Sequence, residues 1–268
     1  MVSEDVRRFA EDPGAWGDVE ARSGLTRILT DRYCLILGPV PTFTSVSHLR
    51  LDPDTLTETL AEVRAQVAEH GHREAIWWIG PSATPWDLAD QLQAHGLVPD
   101  SRAGSEPHAT SMVLTEEPPP APAGVVARRV ASLEEFVTAG RIADASFGAP
   151  EENARAYEAI GEASFGREQE GHGPRTYLAF LDGEPAGVGR GWFASDCPAV
   201  LMVGGGVLPQ ARGRGVYRAL VRARWDDAGA AGTPALTAQA GAMSRPVLEH
   251  LGFQAVAEQE VLLDTATC

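Results

Sequence analysis

Gln210-Ala211-Arg212-Gly213-Arg214-Gly215 is the stretch that most restricts the fold of this 268-residue chain. A predicted strand, Ala199 to Leu208, precedes it, and a predicted helix runs from about Arg214 to Ala230. A glycine-rich turn between a strand and a helix directs several backbone N–H groups, and the positive end of the helix dipole, at one point. The turn is therefore typical of a pyrophosphate site.

The residues in and after this turn favour a polyanionic ligand. Gly213 and Gly215 remove side chains that would block a phosphate. Five arginines and no acidic residue lie between Val207 and Trp225, namely Arg212, Arg214, Arg218, Arg222 and Arg224. A nucleotide P-loop would need Gly-Lys-Ser/Thr, and a dinucleotide fingerprint would need a glycine at Arg218. The turn therefore matches neither of these nucleotide-binding motifs.

The whole-chain composition restricts the possible partners. Thirty-seven acidic and 22 basic residues give a formal charge of −15, which disfavours nucleic acid and anionic membrane surfaces. A small neutral or cationic substrate fits better. Cys34, Cys197 and Cys268 are too few and too widely spaced for a disulfide framework or a metal site, and no metal is predicted. The N-terminal residues contain no apolar segment of the kind that a secretory signal needs, so we expect a cytoplasmic protein. We expect it to be a monomer or homodimer.

Proline-rich residues 118–123 predict an extended linker between two domains, residues 1–117 and 124–268. Both halves contain the order helix, glycine, short strand, glycine, Ser-containing loop, helix, Gly-Leu or Gly-Phe, which indicates a duplicated unit. The first copy has His48 to Pro53, without glycine, where the second has the glycine-rich turn. The N-terminal half is therefore expected to be a degenerate scaffold or pocket wall.

Local patterns place the other elements of the C-terminal half. Val125 to Val130 is a predicted strand, and Ser132 with Glu135 forms a capping-box start for a helix to about Asp144. A second helix is predicted from Glu151 to about Ala163. Arg175 to Leu181 and Ala186 to Ala194 read as a hairpin about Asp182-Gly183.

The sequence resembles the GCN5-related N-acetyltransferases (GNAT family). Gln210 to Gly215 matches their Q/R-x-x-G-x-G/A motif, Val207-Leu208-Pro209 before it is similar to theirs, and Leu248 to Phe253 resembles their last helix and L-G-F ending. The resemblance covers about Val125 to Leu263. It implies an α/β fold with mixed, largely antiparallel sheets, here as two fused GNAT-like lobes.

The resemblance also implies a site made mainly of backbone. A backbone N–H near Gly206, Val207 or Leu208 would hold the acyl carbonyl oxygen, and those of about Arg212 to Val216 would hold the pyrophosphate. The predicted coenzyme-binding set is Val207, Leu208, Gln210, Ala211, Arg212, Gly213, Arg214, Gly215 and Val216.

The chain departs from the family at the residue that protonates the departing thiolate. The usual tyrosine falls at Leu248, and the usual Asn falls at Gly241. Tyr217, Ser244 and His250 are the remaining candidate catalytic groups. A packing role for Tyr217 against the sheet and a helix-capping role for His250 are the structural alternatives.

The function implied by the resemblance is transfer of an acetyl or other acyl group from acyl-coenzyme A to a primary amine by direct attack. A catalytically inactive acyl-coenzyme A binding or sensing protein is the main alternative, because Leu248 cannot donate a proton. An arginine-rich surface for a protein or RNA partner is a third possibility, which the net charge disfavours. The sequence leaves the acceptor amine open.

Overall fold

The structure is a computed structural model that describes residues 2–17, 25–38, 44–102, 105–147, 161–193 and 196–265. It divides into two compact units, and neither is continuous along the chain. The C-terminal unit comprises Met1–Val6, Val113–Ala238 and Val247–Gln254, and the N-terminal unit comprises Arg7–Met112, Gln239–Pro246 and Ala255–Cys268. A domain boundary at residues 118–123 stays a prediction.

The described residues contain helices and strands in a mixed order along the chain. The helices are α1 (Glu4–Glu11), α2 (Leu56–Glu69), α3 (Leu88–Ala94), α4 (Leu133–Phe147), α5 (Val216–Ala230) and α6 (Arg245–His250), and residues 161–169 are also helical. The strands are β1 (Thr26–Leu29), β2 (Cys34–Leu37), β3 (Ser45–Ser47), β4 (Ala75–Ile79), β5 (Val98–Pro99), β6 (His108–Leu114), β7 (Val125–Arg129), β8 (Arg175–Leu181), β9 (Glu184–Trp192), β10 (Val200–Val207), β11 (Leu236–Ala240) and β12 (Gln254–Asp264). Every helix in these ranges is too short or too polar to cross a membrane.

The strands of the C-terminal unit lie in the order β11-β10-β9-β8-β7. β10 and β11 are parallel, and the other neighbours are antiparallel. Side chains alternate between the two faces of this sheet: Tyr177 packs with Leu220 of α5, whereas Leu178 packs with Ile142 of α4. Each face is thus buried by one amphipathic helix.

Alternating glycines on β9 bring α5 close to the sheet. A Cβ atom at Gly187 would lie 2.6 Å from Cγ1 of Val216, and one at Gly189 would lie 3.0 Å from Cζ of Arg224. A side chain at either glycine would displace the helix side chains, so these glycines determine how closely α5 approaches β9.

The strands of the N-terminal unit lie in the order β1-β2-β3-β4-β12-β6, with β5 paired to β12. β12 comes from the end of the chain and pairs antiparallel with β4, from Glu260 opposite Ile79 to Asp264 opposite Ala75. Trp77 and Leu60 are fully buried in the core of this unit, which also contains Leu262 of β12. The last strand of the sequence therefore completes the unit formed by the first half.

The duplication predicted from the sequence is confirmed. β3 and β4 are parallel and paired only at Ser45–Ile76 and Val46–Trp77, and α2 lies between them in sequence. β10 and β11 are likewise parallel, paired only at Val200–Leu236 and Leu201–Thr237, and connected through α5. In both halves two parallel strands pair at two residues and are connected through a helix, so the same supersecondary unit occurs twice.

Predicted elements of the C-terminal half agree with the structure to within a few residues at their ends. The capping box is present: Ser132 Oγ accepts from Glu135 N–H at 3.2 Å, and the Glu135 carboxylate accepts from Ala131 N–H at 2.8 Å. Hydrogen bonds from the Arg128 guanidinium and from Ala131 N–H lower the pKa of the Glu135 carboxyl to about 2. The helix predicted from Glu151 lies outside the described residues up to residue 160.

The proline-rich segment contacts α5. The Pro118 carbonyl accepts from Arg222 Nη1 at 3.3 Å, and Glu117 forms a 2.6 Å ion pair with the same guanidinium. Pro122 packs against Gly215 at the start of the helix. A segment with these contacts is part of the C-terminal unit and not a free spacer.

The close packing of α5 against Gly187 and Gly189 predicts how substitutions there change stability. Gly189→Val should lower the free energy of unfolding by about 1–3 kcal/mol, because the added atoms must displace the buried Arg224 side chain. Chemical denaturation monitored by circular dichroism measures this change. The control is Gly229→Ala, since a Cβ there meets nothing within 4 Å, and a helical alanine should raise stability by about 0.5–1 kcal/mol. Equal stability of Gly189→Val and the parent chain would contradict the close approach.

Candidate functional site

The end of β10 presents an open backbone edge in the C-terminal unit. Pairing with β11 stops after Leu201, so the described part of β10 from Met202 to Val207 has no β11 partner. The ladder with β9 shifts register between Val203 and Gly206, and Gly204 has a φ of +57°. This bulge and the open edge leave room for a ligand along the strand.

The direction of the backbone N–H groups alternates along this edge. Leu208 N–H donates to the Ala186 carbonyl at 3.0 Å, so it faces β9. Gly206, two residues earlier and opposite Val188, faces the same way, and Val207 faces away. Among the three predicted carbonyl-binding amides, only Val207 N–H therefore faces the open edge.

The glycine-rich turn leaves a run of backbone donors free. A 3-10 turn at Pro209–Ala211 leads to Gly213 at φ +74° and Gly215 at φ +79°, and Gly215 caps α5. The six N–H groups from Gly213 to Arg218 donate to no acceptor among the described residues, whereas Ala219 N–H already bonds the Gly215 carbonyl. Six consecutive free donors at a helix N-terminus fit a pyrophosphate.

Arginines near the turn serve several purposes. Arg222 pairs with Asp226 at 2.8 Å and with Glu117, and Arg214 pairs with Asp182 at 3.0 Å. Arg212 is exposed and donates through Nε to the Val207 carbonyl at 3.3 Å. Arg224 is completely buried, and burial lowers the pKa of its guanidinium. The positive stretch seen in the sequence is thus partly neutralised by ion pairs and partly buried.

The candidate catalytic side chains lie on different elements. Tyr217, in the first turn of α5, is half-buried, and Cε2 of its ring would lie 2.9 Å from a Cβ at Gly205. Ser244 belongs to the N-terminal unit, where its hydroxyl donates to the Gly241 carbonyl at 3.3 Å. His250 is exposed at the end of α6. Their catalytic roles stay predictions.

Leu248, at the position of the family's usual acid, is 1% exposed and lies on α6. The neighbouring loop is tied down at Ala242, whose N–H donates to Glu106 at 2.6 Å. Leu248 is a core residue, so its position supplies no proton.

The corresponding turn of the N-terminal unit has its donors occupied. Asp12 accepts from His48 N–H at 2.9 Å, and Asp52 accepts from Asp54 N–H at 2.9 Å. Leu51 N–H bonds the Thr84 carbonyl at 3.0 Å. Burial raises the pKa of Asp12. Carboxylates of the chain itself take the place that an anion would need.

Solved structures of similar shape show which fold the chain has. A GCN5-related N-acetyltransferase from Kribbella flavida matches with a TM-score of 0.70 and 17% identity, over 98% of this chain and 96% of its own. A tandem GNAT protein from the clavulanic acid biosynthesis pathway matches with a TM-score of 0.58 and 18% identity, over 87% of this chain and 78% of its own. A GCN5-related N-acetyltransferase from Sphaerobacter thermophilus matches with a TM-score of 0.59 and 18% identity, over 88% of this chain and 81% of its own. The chain has the GNAT fold, including a GNAT-like N-terminal half.

Residues 141–253 match the Acetyltransferase (GNAT) family, and this range includes the glycine-rich turn and α5. The resemblance found in the sequence is confirmed over these residues. No curated protein matches the sequence. The family supports acyl transfer from acyl-coenzyme A in general.

Two structural features of the site were missed by sequence reasoning. Gly187 and Gly189, which seat α5, are visible in the sequence only as alternating glycines in a strand, a pattern that could have indicated a close helix contact. The burial of Arg224 had no such signal, because arginine on a helix is normally exposed.

The contact between the turn and the linker can be tested by a double-mutant cycle. Gly215→Ala should lower the free energy of unfolding by about 2–4 kcal/mol, since its Cβ would lie 2.5 Å from Cγ of Pro122 and its φ is +79°. Adding Pro122→Gly should recover the steric part and leave the backbone part, about 1 kcal/mol. The control is Gly213→Ala, which has a similar φ and open space. Additive effects of Gly215→Ala and Pro122→Gly would contradict the contact.

Proposed function

We propose that this protein transfers an acyl group, acetyl in the first instance, from acyl-coenzyme A to a primary amine of a small molecule. The observation that carries the proposal is the run of six free N–H groups from Gly213 to Arg218, directly after the open edge of β10. Backbone donors at a helix N-terminus suit a pyrophosphate, and an unpaired strand edge suits the extended chain attached to it.

In this proposal the binding roles belong mostly to backbone. The N–H groups of the turn hold the pyrophosphate, and Gly213 and Gly215 provide the positive φ angles that aim them. The N–H groups on the open side of β10, with Val207 among them, hold the carbonyl oxygen as negative charge develops there. Gln210, Ala211 and Leu208 shape the turn between these two sites.

The amine nitrogen attacks the thioester carbon, the carbon–sulfur bond breaks, and the sulfur leaves as a thiolate that takes a proton. No acyl-enzyme is needed, because positioning and oxyanion stabilisation lower the barrier. Tyr217, Ser244 and His250 are the candidate proton carriers. The proposed setting is the cytoplasm, with residues 124–268 as the catalytic domain and residues 1–117 as its scaffold.

A charge in the turn should prevent coenzyme binding. Gly213→Glu should weaken binding of acetyl-coenzyme A by at least about 100-fold, because a carboxylate beside the free N–H groups competes with and repels the pyrophosphate. Isothermal titration calorimetry measures the dissociation constant.

The matched control is Gly232→Glu, at the other end of α5. Gly232 has a φ of +79° and open space at its Cβ, as Gly213 has at +74°, so both variants carry the same charge and the same backbone strain. Gly232→Glu should bind as the parent chain does. Unchanged affinity in Gly213→Glu would exclude the turn as the pyrophosphate site.

A sensing protein that binds acyl-coenzyme A without turnover is the second candidate, favoured by the buried Leu248. A panel of primary amines, among them polyamines, amino acids and aminoglycosides, separates the two. Release of free thiol from acetyl-coenzyme A that depends on one amine, with the acylated product seen by mass spectrometry, is expected for the enzyme. Tight binding of acetyl-coenzyme A with no amine-dependent release would favour the sensor.

A further inference from the structure

Arg224 is a buried charge without a counter-ion. Its side chain is fully buried, and no carboxylate among the described residues pairs with it. Nε donates to the Leu220 carbonyl at 2.9 Å and Nη1 to the Arg190 carbonyl at 3.3 Å, but Nη2 has no partner there. Burying an unpaired charge is strongly unfavourable, so a residue of this kind needs a reason beyond packing.

The fold itself does not require this charge. Helix α2 holds the same place in the N-terminal unit, between β3 and β4, and its buried residues are Leu56, Thr59, Leu60, Val63 and Val67. Uncharged side chains therefore suffice in the copy whose turn is occupied by Asp12 and Asp52. Among the residues that the structure describes, a fully buried guanidinium occurs only in the copy with free backbone donors, where Gly189 makes room for it.

The guanidinium of Arg224 lies beneath Tyr217. Its Cζ is 5.9 Å from the centre of the tyrosine ring, two helical turns away along α5. The Tyr217 ring rests on Gly205, and its hydroxyl oxygen would lie 3.5 Å from a Cβ there. Gly205 lies in the β10 bulge, two residues before Val207. The hydroxyl is thus held beside the strand whose open edge is the proposed site of the thioester.

Other charged and titratable groups near this pair already have partners. The Tyr177 hydroxyl on β8 donates to Asp227 at 2.6 Å, and Arg175 lies 3.6 Å from the same carboxylate. Arg190 on β9 lies against Gly204, 3.0 Å from its would-be Cβ. Asp227 is therefore engaged by β8.

We propose that Tyr217 protonates the departing thiolate of coenzyme A and that Arg224 is the positioning residue that holds and electrostatically supports it. This inference rests on the proposed function and assigns the proton donor that Leu248 cannot be. The hydroxyl proton moves to sulfur as the carbon–sulfur bond breaks, and the resulting phenolate is stabilised by the guanidinium below it. The proton lost by the acylated amine returns to the phenolate through solvent, so the protein is unchanged.

A titration of bound coenzyme A tests this assignment without knowledge of the acceptor. The full chain is saturated with free coenzyme A, and its thiolate is followed by ultraviolet absorbance as the pH is raised. A hydroxyl donor and a cation near the sulfur stabilise the thiolate, so the bound thiol should have a lower pKa than free coenzyme A. Tyr217→Phe, which keeps the ring on Gly205, should reduce the thiolate-to-thiol ratio at fixed pH by about tenfold.

Variants at Arg224 separate the effect of its charge from the effect of its packing. Arg224→Met should raise the pKa of the bound thiol as Tyr217→Phe does, and Arg224→Lys, which keeps the charge, should restore part of the effect. The control is Tyr177→Phe, which also loses a buried hydroxyl from the same face and should leave the bound thiol as in the parent chain. With the best amine of the panel, Tyr217→Phe should lower kcat about 100-fold with little change in KM for acetyl-coenzyme A.

The outcomes distinguish this inference from the proposed function. A parent chain that fails to bind coenzyme A would overturn both. Binding with a thiol pKa that is the same in the parent and Tyr217→Phe would overturn only the role of Tyr217, and an equal shift in Tyr177→Phe would show a general structural effect instead. Thermal unfolding of each variant identifies any that do not fold, and Arg224→Gln, which also lacks the charge, replaces Arg224→Met if that variant does not fold.

Discussion

The close seat of α5 on β9 is the constraint on which the rest of the C-terminal unit depends. Gly187 and Gly189 have no side chains, so Val216, Leu220 and Arg224 reach the strand itself. The N-terminus of the helix is thereby held at a fixed distance from the end of β10. Free N–H groups bind an anion well only if they point at one place, and this packing supplies that order before any ligand arrives.

The two units show how one framework carries different contents. Both contain parallel strands that pair twice and then separate, with a helix between them in sequence. In the N-terminal unit the carboxylates of Asp12 and Asp52 accept from backbone donors after β3, whereas the donors before α5 remain free. A carboxylate held by the chain satisfies the backbone at no cost in binding entropy. It also removes the electrostatic field that would attract a phosphate.

Local features of this fold were predictable from the sequence, and long-range ones were not. The turn at Gly213 and Gly215, the capping box at Ser132 and the duplication follow from residue types and spacing, which set backbone conformation within a few residues. The place of β12 beside β4 depends on pairing between residues about 185 positions apart, which no local pattern contains. For the same reason the sequence predicted a linker at residues 118–123 but not its contacts with Arg222 and Gly215.

The packing of α5 on β9 also connects the proposed pyrophosphate site with the proposed protonation of the coenzyme A thiolate. Leu248, where the resemblance predicts the family's usual proton donor, is part of the core. Tyr217 belongs instead to α5, one residue after the last helix N-terminal residue predicted to hold the pyrophosphate. A helix rigid enough to aim backbone donors also fixes a side chain in its first turn against Gly205. Movement of α5 by a fraction of an ångström would therefore disturb the anion site and the phenol together, since both are attached to one rigid element.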